Sequence, residues 1–240
     1  MRPVRVLPGT SGFSYREWKG TFYPGDLPAG AMLAHYAERL PTVEINNTFY
    51  RLPGREAVAR WAAQVPEGFV FAITANQRIT HKARLGDGAL ETLGYLHETL
   101  EALGPHRGPI LAQLPPWFRK DEERLHTFLQ GAPVGLRLAF EFRHESWDDD
   151  DVRGLLAEHD AAWCVVDTGE DDDQPAAVHA TASWGYLRLR RAGYAERELA
   201  AWAERIAAQP WEEAFVYFKH EDEGIAPRLA LRLGELLRSA

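Results

Sequence analysis

The chain has 240 residues, with 27 Lys and Arg against 35 Asp and Glu, for a formal net charge of −8. Apolar residues make up 45% and charged residues 26%. This ordinary globular composition excludes a disordered, collagen-like or fibrous chain, and the length suffices to bury a core without staples. The longest apolar run, Ala161–Val166, falls far short of the ~20 residues of a membrane helix. The single cysteine, Cys164, excludes an intrachain disulfide and a Cys-based metal site. No apolar h-region follows Met1, so no signal peptide is expected and a cytoplasmic location is. The acidic balance argues against bulk non-specific nucleic-acid binding but leaves room for a local basic pocket.

Short apolar strands alternate with amphipathic stretches along the whole chain. Val4–Pro8 is the first expected strand, and a helix over Ala31–Leu40 follows, with Leu33, Tyr36, Ala37 and Leu40 at helical spacing. Thr42–Asn46 precedes a helix over Arg55–Gln64. Phe69–Ala75 precedes one over Leu90–Leu103, marked by Leu93, Leu96, Leu100 and Leu103. Pro109–Leu114 precedes Asp121–Leu129. Arg137–Arg143 precedes Asp149–His159, where Asp148–Asp151 suit the N-cap and first turn. Ala162–Asp167 is followed by an acidic, loop-like stretch, Thr168–Ser183, with no convincing helix. Gly185–Arg190 precedes Ala195–Ala208, and Ala214–Lys219 precedes Ala226–Leu237. Eight strands in such alternation imply a parallel sheet closed as a (β/α)8 TIM-barrel-like domain over residues 1–240. An open doubly wound sheet is the second choice, because polar residues gather at many strand ends and not at one switch point.

Both faces of a parallel barrel strand are covered, so polar strand residues need a reason. Alternation places Glu44 and Asn46, Glu141 and Arg143, and Tyr186, Arg188 and Arg190 inside the barrel. Gln113 shares a face with Leu111, and Tyr217 with Lys219, while Asp167 closes the sixth strand. The C-terminal rim, where barrel active sites are built, therefore collects Glu44, Glu141 and Asp167 against Arg143, Arg188 and Lys219. The bland alternative is an ion-pair lattice plugging the mouth. Loops after the strands add Thr10, Ser11 and Tyr15, then Tyr50, His81, His144 and Trp147. Small residues in Gly9–Gly12 could turn N–H groups onto an anion. The loop aromatics either stack a planar ligand or form the loops' own core. Glu44, His81, Glu141, His144, Asp167 and His220 are residue types able to hold Zn2+ or Mn2+, yet none share a metal-motif spacing. No cofactor is expected, and a divalent metal stays open. The chain has no GxGxxG, Walker or G-x-S-x-G motif, and Ser11 and Ser14 lack a local partner that would mark a nucleophile. Cys164 reads as inert core.

Several of these blocks resemble the YecE-like family of bacteria and archaea, a domain of unknown function. They are Gly9-Thr10-Ser11-Gly12 with Tyr15, Trp18 and Phe22-Tyr23-Pro24; Thr42-Val43-Glu44-Ile45-Asn46 with Thr48-Phe49-Tyr50; Ile79-Thr80-His81; Gln113-Leu114-Pro115-Pro116; Glu141-Phe142-Arg143-His144 with Ser146-Trp147; Asp167; and Val216-Tyr217-Phe218. The resemblance runs from Gly9 to about Leu236 and implies a TIM-barrel-like fold, with no settled reaction. The chain departs from the family's usual pattern at Thr74, where a lysine is common, at Arg190-Arg191, where His-Gly is common, and at Lys219-His220, where paired asparagines are common. Lys219 and His220 are the residues able to substitute in space.

Three functions fit these residues. The first is an enzyme acting on a small, polar, anionic molecule such as a phosphorylated sugar or nucleotide fragment. Arg143 and Arg188 would bind the anion, and Glu44 and Glu141 would form the acid/base pair with Asp167 or His81 in support. Thr10, Ser11, Tyr15, Asn46, Tyr50, Gln113, His144, Trp147, Tyr217 and Lys219 would complete the pocket. The second is a nucleic-acid end or lesion binder, or a metal-dependent phosphodiesterase, disfavoured by the net charge. The third is a non-catalytic ligand sensor using the same pocket. No membrane partner is expected.

Overall fold

The computed structural model describes residues 3–169, 176–219 and 222–239. The strands are β1 (Arg5–Ser11), β2 (Thr42–Ile45), β3 (Val70–Thr74), β4 (Arg107–Gln113), β5 (Leu138–Glu141), β6 (Ala162–Asp167), β7 (Trp184–Leu189) and β8 (Glu213–Phe218). They pair in chain order, all parallel, and β1 closes on β8 to give an eight-stranded barrel. Among the described residues seven α-helices surround it: α1 (Met32–Ala37), α2 (Arg55–Ala62), α3 (Ala89–Leu100), α4 (Glu122–Gly131), α5 (Asp150–Glu158), α6 (Glu196–Ala207) and α7 (Ile225–Ser239).

The expected TIM-barrel-like fold is therefore present, and each expected strand is found. β1 runs on to Ser11 instead of ending at Pro8, because Gly9, Thr10 and Ser11 continue in register with Thr42, Val43 and Glu44. Gly9 makes this pairing: a Cβ there would sit 2.2 Å from the Thr42 carbonyl oxygen. β5 stops at Glu141, two residues short of the expected end, so Arg143 leaves the sheet and rises above the mouth. α1 is shorter than its apolar spacing suggests and is preceded by a 3-10 turn over Ala29–Ala31. The acids at the start of α5 act as expected, with Asp149 Oδ1 accepting from the Asp151 N–H at 2.9 Å.

No helix links β6 to β7 among the described residues, in keeping with the loop expected there, although its acidic run Glu170–Asp173 lies outside them. Thr181 from this connection ties to β6 instead. Its hydroxyl accepts from the Trp163 N–H at 2.9 Å and donates to the Ala161 carbonyl at 2.8 Å.

Two apolar layers follow from strand alternation. Val43, Ile45, Phe71, Ile73, Phe140, Val165, Leu187 and Val216 face outward and pack under the helices with Leu93, Leu96, Leu125, Phe128, Leu199 and Trp202. Leu7, Ala72, Leu111, Ala139, Cys164, Tyr186, Phe215 and Tyr217 fill the barrel interior. The N-terminal end of the barrel is closed by Glu213, which bonds Arg5 at 2.9 Å and Arg137 at 2.7 Å, with the Arg137 guanidinium over the Trp184 and Phe215 rings. Among the described residues no helix is long and apolar enough to cross a membrane.

Gly9→Ala forces a side chain into the Thr42 carbonyl, and overpacking of this kind costs about 1–3 kcal/mol. The expected readout is a lower urea midpoint with an unchanged slope. An unchanged midpoint would mean that β1 and β2 separate here without loss.

Candidate functional site

The barrel mouth is organised by a buried guanidinium. Arg188 of β7 donates through Nη2 to Glu44 Oε1 at 2.9 Å and through Nη1 to Glu141 Oε2 at 2.5 Å. Glu44 is 0% exposed and Glu141 2%. Burying charges is tolerable only when each is paired and its remaining lone pairs are filled. Both conditions are met. Ser11 Oγ donates to Glu44 Oε1 at 2.5 Å, and the Tyr186 hydroxyl to Glu44 Oε2 at 2.6 Å. Gln113 Nε2 and Arg143 Nε both donate to Glu141 Oε1 at 2.9 Å. One polar atom is left over: Arg188 Nε is buried without a partner.

Burial pushes the Glu141 carboxyl up, but Arg188 and then Arg143 outweigh it and hold the group down at about 2. Glu141 is thus ionised at neutral pH and is no proton donor there. The Arg188 guanidinium is held charged by Glu44 and Glu141 against the opposing effect of burial. Burial, then the Glu44 charge, pushes the Tyr186 hydroxyl well up, so it stays a donor. Arg188 was expected to bind an anion, but both of its terminal nitrogens are committed to carboxylates. It positions Glu44 and Glu141 instead.

Arg143 differs. Its Nε is anchored on Glu141, its side chain is 33% exposed, and neither terminal nitrogen pairs with a described residue. His81 lies near it, on a π-helical turn over Arg78–Lys82. Burial, then the Arg143 charge, lowers the His81 pKa, so the imidazole is neutral at pH 7. Its Nδ1 sits 2.9 Å from the Thr80 hydroxyl, and its ring stands edge-on to Phe49 at 4.9 Å. Asn46 is half-buried at the end of β2 and accepts from Thr74 Oγ1 at 3.1 Å. Arg190, just past β7, feels the charges of Arg188, Glu141, Arg143 and Glu44, which places it at the same mouth.

Other expected site residues lie elsewhere. Asp167 belongs to the outer face, because Cys164 and Val166 take the inner positions of β6. It accepts from Arg191 Nε at 2.7 Å and from the Tyr194 hydroxyl and Trp202 Nε1 at 3.1 Å each, a structural anchor for α6. Thr10 also faces outward, and its N–H is taken by the Tyr36 hydroxyl at 2.9 Å. The Gly12 N–H goes to the Glu44 carbonyl at 2.8 Å. These two N–H groups are therefore spent inside the protein and do not converge on an anion. Trp147 is buried, stacked on Phe142 at 4.8 Å, and its indole donates to the Phe118 carbonyl at 2.7 Å. Tyr217 lies below the ion cluster, with its hydroxyl 2.8 Å from Thr42 Oγ1. His144 Nδ1 accepts from the Ser146 N–H at 3.1 Å and caps a short turn, while its ring lines a cavity of about 430 Å3 shared with Arg143 and His179.

Tyr15 turns back so that its hydroxyl donates to the Ser11 carbonyl at 2.7 Å. Gly12, at φ 85°, permits this, since a Cβ there would meet the Tyr15 hydroxyl at 2.6 Å. Trp18, Phe22 and Tyr23 form the first loop's own core. Of the loop aromatics, Tyr50 and Trp117, the latter in the loop after β4, stay exposed. Lys219 follows β8 on the inner side by alternation, and His220 and Glu221 lie outside the described residues. Among the described residues no three His, Cys, Asp or Glu side chains form a metal-holding group.

Truncating one member of a buried ion cluster strands the others. Arg188→Met is expected to lower stability by about 3–5 kcal/mol, whereas replacing Glu44, Glu141 and Arg188 together by apolar residues of similar volume restores much of it. Because its folded pKa is depressed, Glu141 contributes stability fully above pH 4.5 and loses it as pH falls towards 2. Urea unfolding at a series of pH values checks this: Glu141→Gln should flatten the curve in that acid window.

The family profile described as "Protein of unknown function DUF72" matches residues 7–240. The chain is 26% identical over 140 residues to the UPF0759 protein YunF of Bacillus subtilis, covering 53% of this chain and 48% of that protein. It is 34% identical over 116 residues to the UPF0759 protein YecE of Escherichia coli, covering 47% and 41%. The chain thus spans about half the length of the curated relatives it matches. A crystal structure of a DUF72 family protein from Thermotoga maritima superposes with a TM-score of 0.82 at 26% identity, covering 98% of this chain and 99% of that one. Its barrel and its match from residue 7 to residue 240 make the chain a member of the DUF72 family.

Proposed function

We propose that the barrel mouth binds a small, polar, anionic molecule, of the class of phosphorylated sugars and nucleotide fragments, and that proton transfer at this site turns it over. The observation that carries this reading is the Arg143 fork. Its Nε is fixed on ionised Glu141, its side chain is one-third exposed, and its two terminal nitrogens bond no described residue. A guanidinium in this state binds a phosphate or carboxylate in two parallel bonds with little ordering cost. Arg190 adds positive charge beside it.

The proton would be moved by His81. A neutral imidazole at pH 7 can accept a proton, and burial, then the adjacent arginine, keeps it neutral. Glu141 then serves as a fixed negative charge that orients Arg143, while Glu44 and Arg188 hold the inner wall beside it. This differs from a paired-carboxylate mechanism, because Glu141 is ionised at about 2 and accepts three donors.

A thermal-shift and calorimetry panel of inorganic phosphate, sugar phosphates, nucleotides and divalent metals tests the reading. A ligand at about 100 times its Kd stabilises by roughly 2.7 kcal/mol, which for this size moves Tm by several degrees at roughly 2–4 °C per kcal/mol. The shift should vanish in Arg143→Ala and survive in part in Arg143→Lys. Phosphorylated compounds that shift wild type and Arg143→Ala alike would remove the anion assignment. For a compound that binds, His81→Gln should cut turnover by about 10²–10⁴ with Kd nearly unchanged. Unchanged turnover would remove His81 from the chemistry.

A further inference from the structure

A second cavity opens beside the mouth, between the loops that follow β1 and β2. It measures about 360 Å3 and is walled by Phe13, Tyr15, Tyr50 and Trp61, with the side-chain amides of Asn46 and Asn47 at its edge. None of its described lining side chains is charged. The volume falls in the range of a pocket for a small ligand. Tyr50 is 76% exposed, and its hydroxyl bonds no described residue, so burial does not account for this aromatic side chain. Trp18 and Tyr23 next to this cavity, by contrast, are fully packed.

Contacts between side chains link the cavity to the anion site. Asn46 lines it and also accepts from Thr74 at the end of β3. On the other side Tyr50 stands edge-on to Phe49 at 5.0 Å, and Phe49 stands edge-on to His81 at 4.9 Å, beside Arg143. Aromatic walls without charge select a neutral ring with a π-face. The Asn47 amide, exposed and unpaired with any described group, offers both a donor and an acceptor to the edge of such a ring.

We propose that this cavity is a subsite for a planar, uncharged nitrogen heterocycle carried by the anionic ligand, so that the substrate class is a nucleoside phosphate and not a plain sugar phosphate. The phosphate end rests on the anion reading above, and the ring end stands on the cavity alone. The heterocycle stacks on Tyr50 and lies across the cleft, with its polar edge towards Asn47. The phosphate points to Arg143.

Calorimetry with a purine nucleoside 5′-monophosphate, ribose 5-phosphate and the free nucleoside tests this on wild type, Tyr50→Ala and Tyr50→Phe. Tyr50 is exposed, so neither variant threatens the fold. The monophosphate should bind roughly ten-fold to a hundred-fold tighter than ribose 5-phosphate, the range expected from stacking on one aromatic side chain. Tyr50→Ala should abolish that preference, leave ribose 5-phosphate binding unchanged, and be rescued by Tyr50→Phe. Equal binding of the two phosphates, or a preference that survives Tyr50→Ala, overturns the subsite while leaving the anion reading intact. If neither phosphate binds, the anion reading falls and the nucleoside decides. Nucleoside binding lost in Tyr50→Ala upholds the ring subsite, and no nucleoside binding overturns it.

Discussion

Arg188 reaches from β7 to Glu44 on β2 and Glu141 on β5, and the inner mouth is assembled around this contact. Strands that are not neighbours in the barrel are tied together by one guanidinium. Ser11, Tyr186, Gln113 and Arg143 are then each fixed by donating to one of the two carboxylates. An apolar plug of similar volume would cost less desolvation. What the ionic plug provides is direction, since each donor is held at a set distance from a carboxylate oxygen, and the Glu141 charge does not change near neutral pH.

The mouth therefore has two electrostatic tiers. The lower tier is buried, with carboxylates and guanidinium compensating each other and Arg188 Nε alone left over among the cluster's described polar atoms. The upper tier, with Arg143, Arg190 and His81, is positively biased. The lower tier sets this bias, because Arg143 is oriented by Glu141 and in turn depresses His81. A net acidic protein can thus present a locally basic opening where its carboxylates sit one layer below its arginines.

Much of this was legible in the sequence, because strand alternation in a parallel barrel is a strict rule. Glu44, Glu141 and Arg188 interrupt otherwise apolar strands, and their parity alone places them inside. The same rule applied to β6 would have sent Asp167 outward, since Ala162, Cys164 and Val166 take the inner positions. Its place at a strand end was a weaker clue than its parity. Trp147 was not separable from a ligand-stacking aromatic, because its burial against Phe118 depends on a contact 29 residues away in the chain. The pairing of both Arg188 terminal nitrogens was hidden for a similar reason: which arginine is spent on carboxylates depends on strands β2 and β5 meeting β7 across the barrel. Tyr186 could be placed inside from alternation, yet nothing in the sequence tied its hydroxyl to Glu44.

The π-helical turn over Arg78–Lys82 bears on how this family member can change its length. A π turn is a helical turn widened by one extra residue, and the segment after it carries positive φ angles at Arg84 and Leu85. Deleting a single residue there would restore a tighter helix and swing each following side chain by about 100°. The ring beside Arg143 would then leave the mouth. Ile79, Thr80 and Leu85 of the same stretch are buried, so a change of length here moves the imidazole and disturbs the core together, and the loop after β3 has less freedom to drift than its surface position suggests.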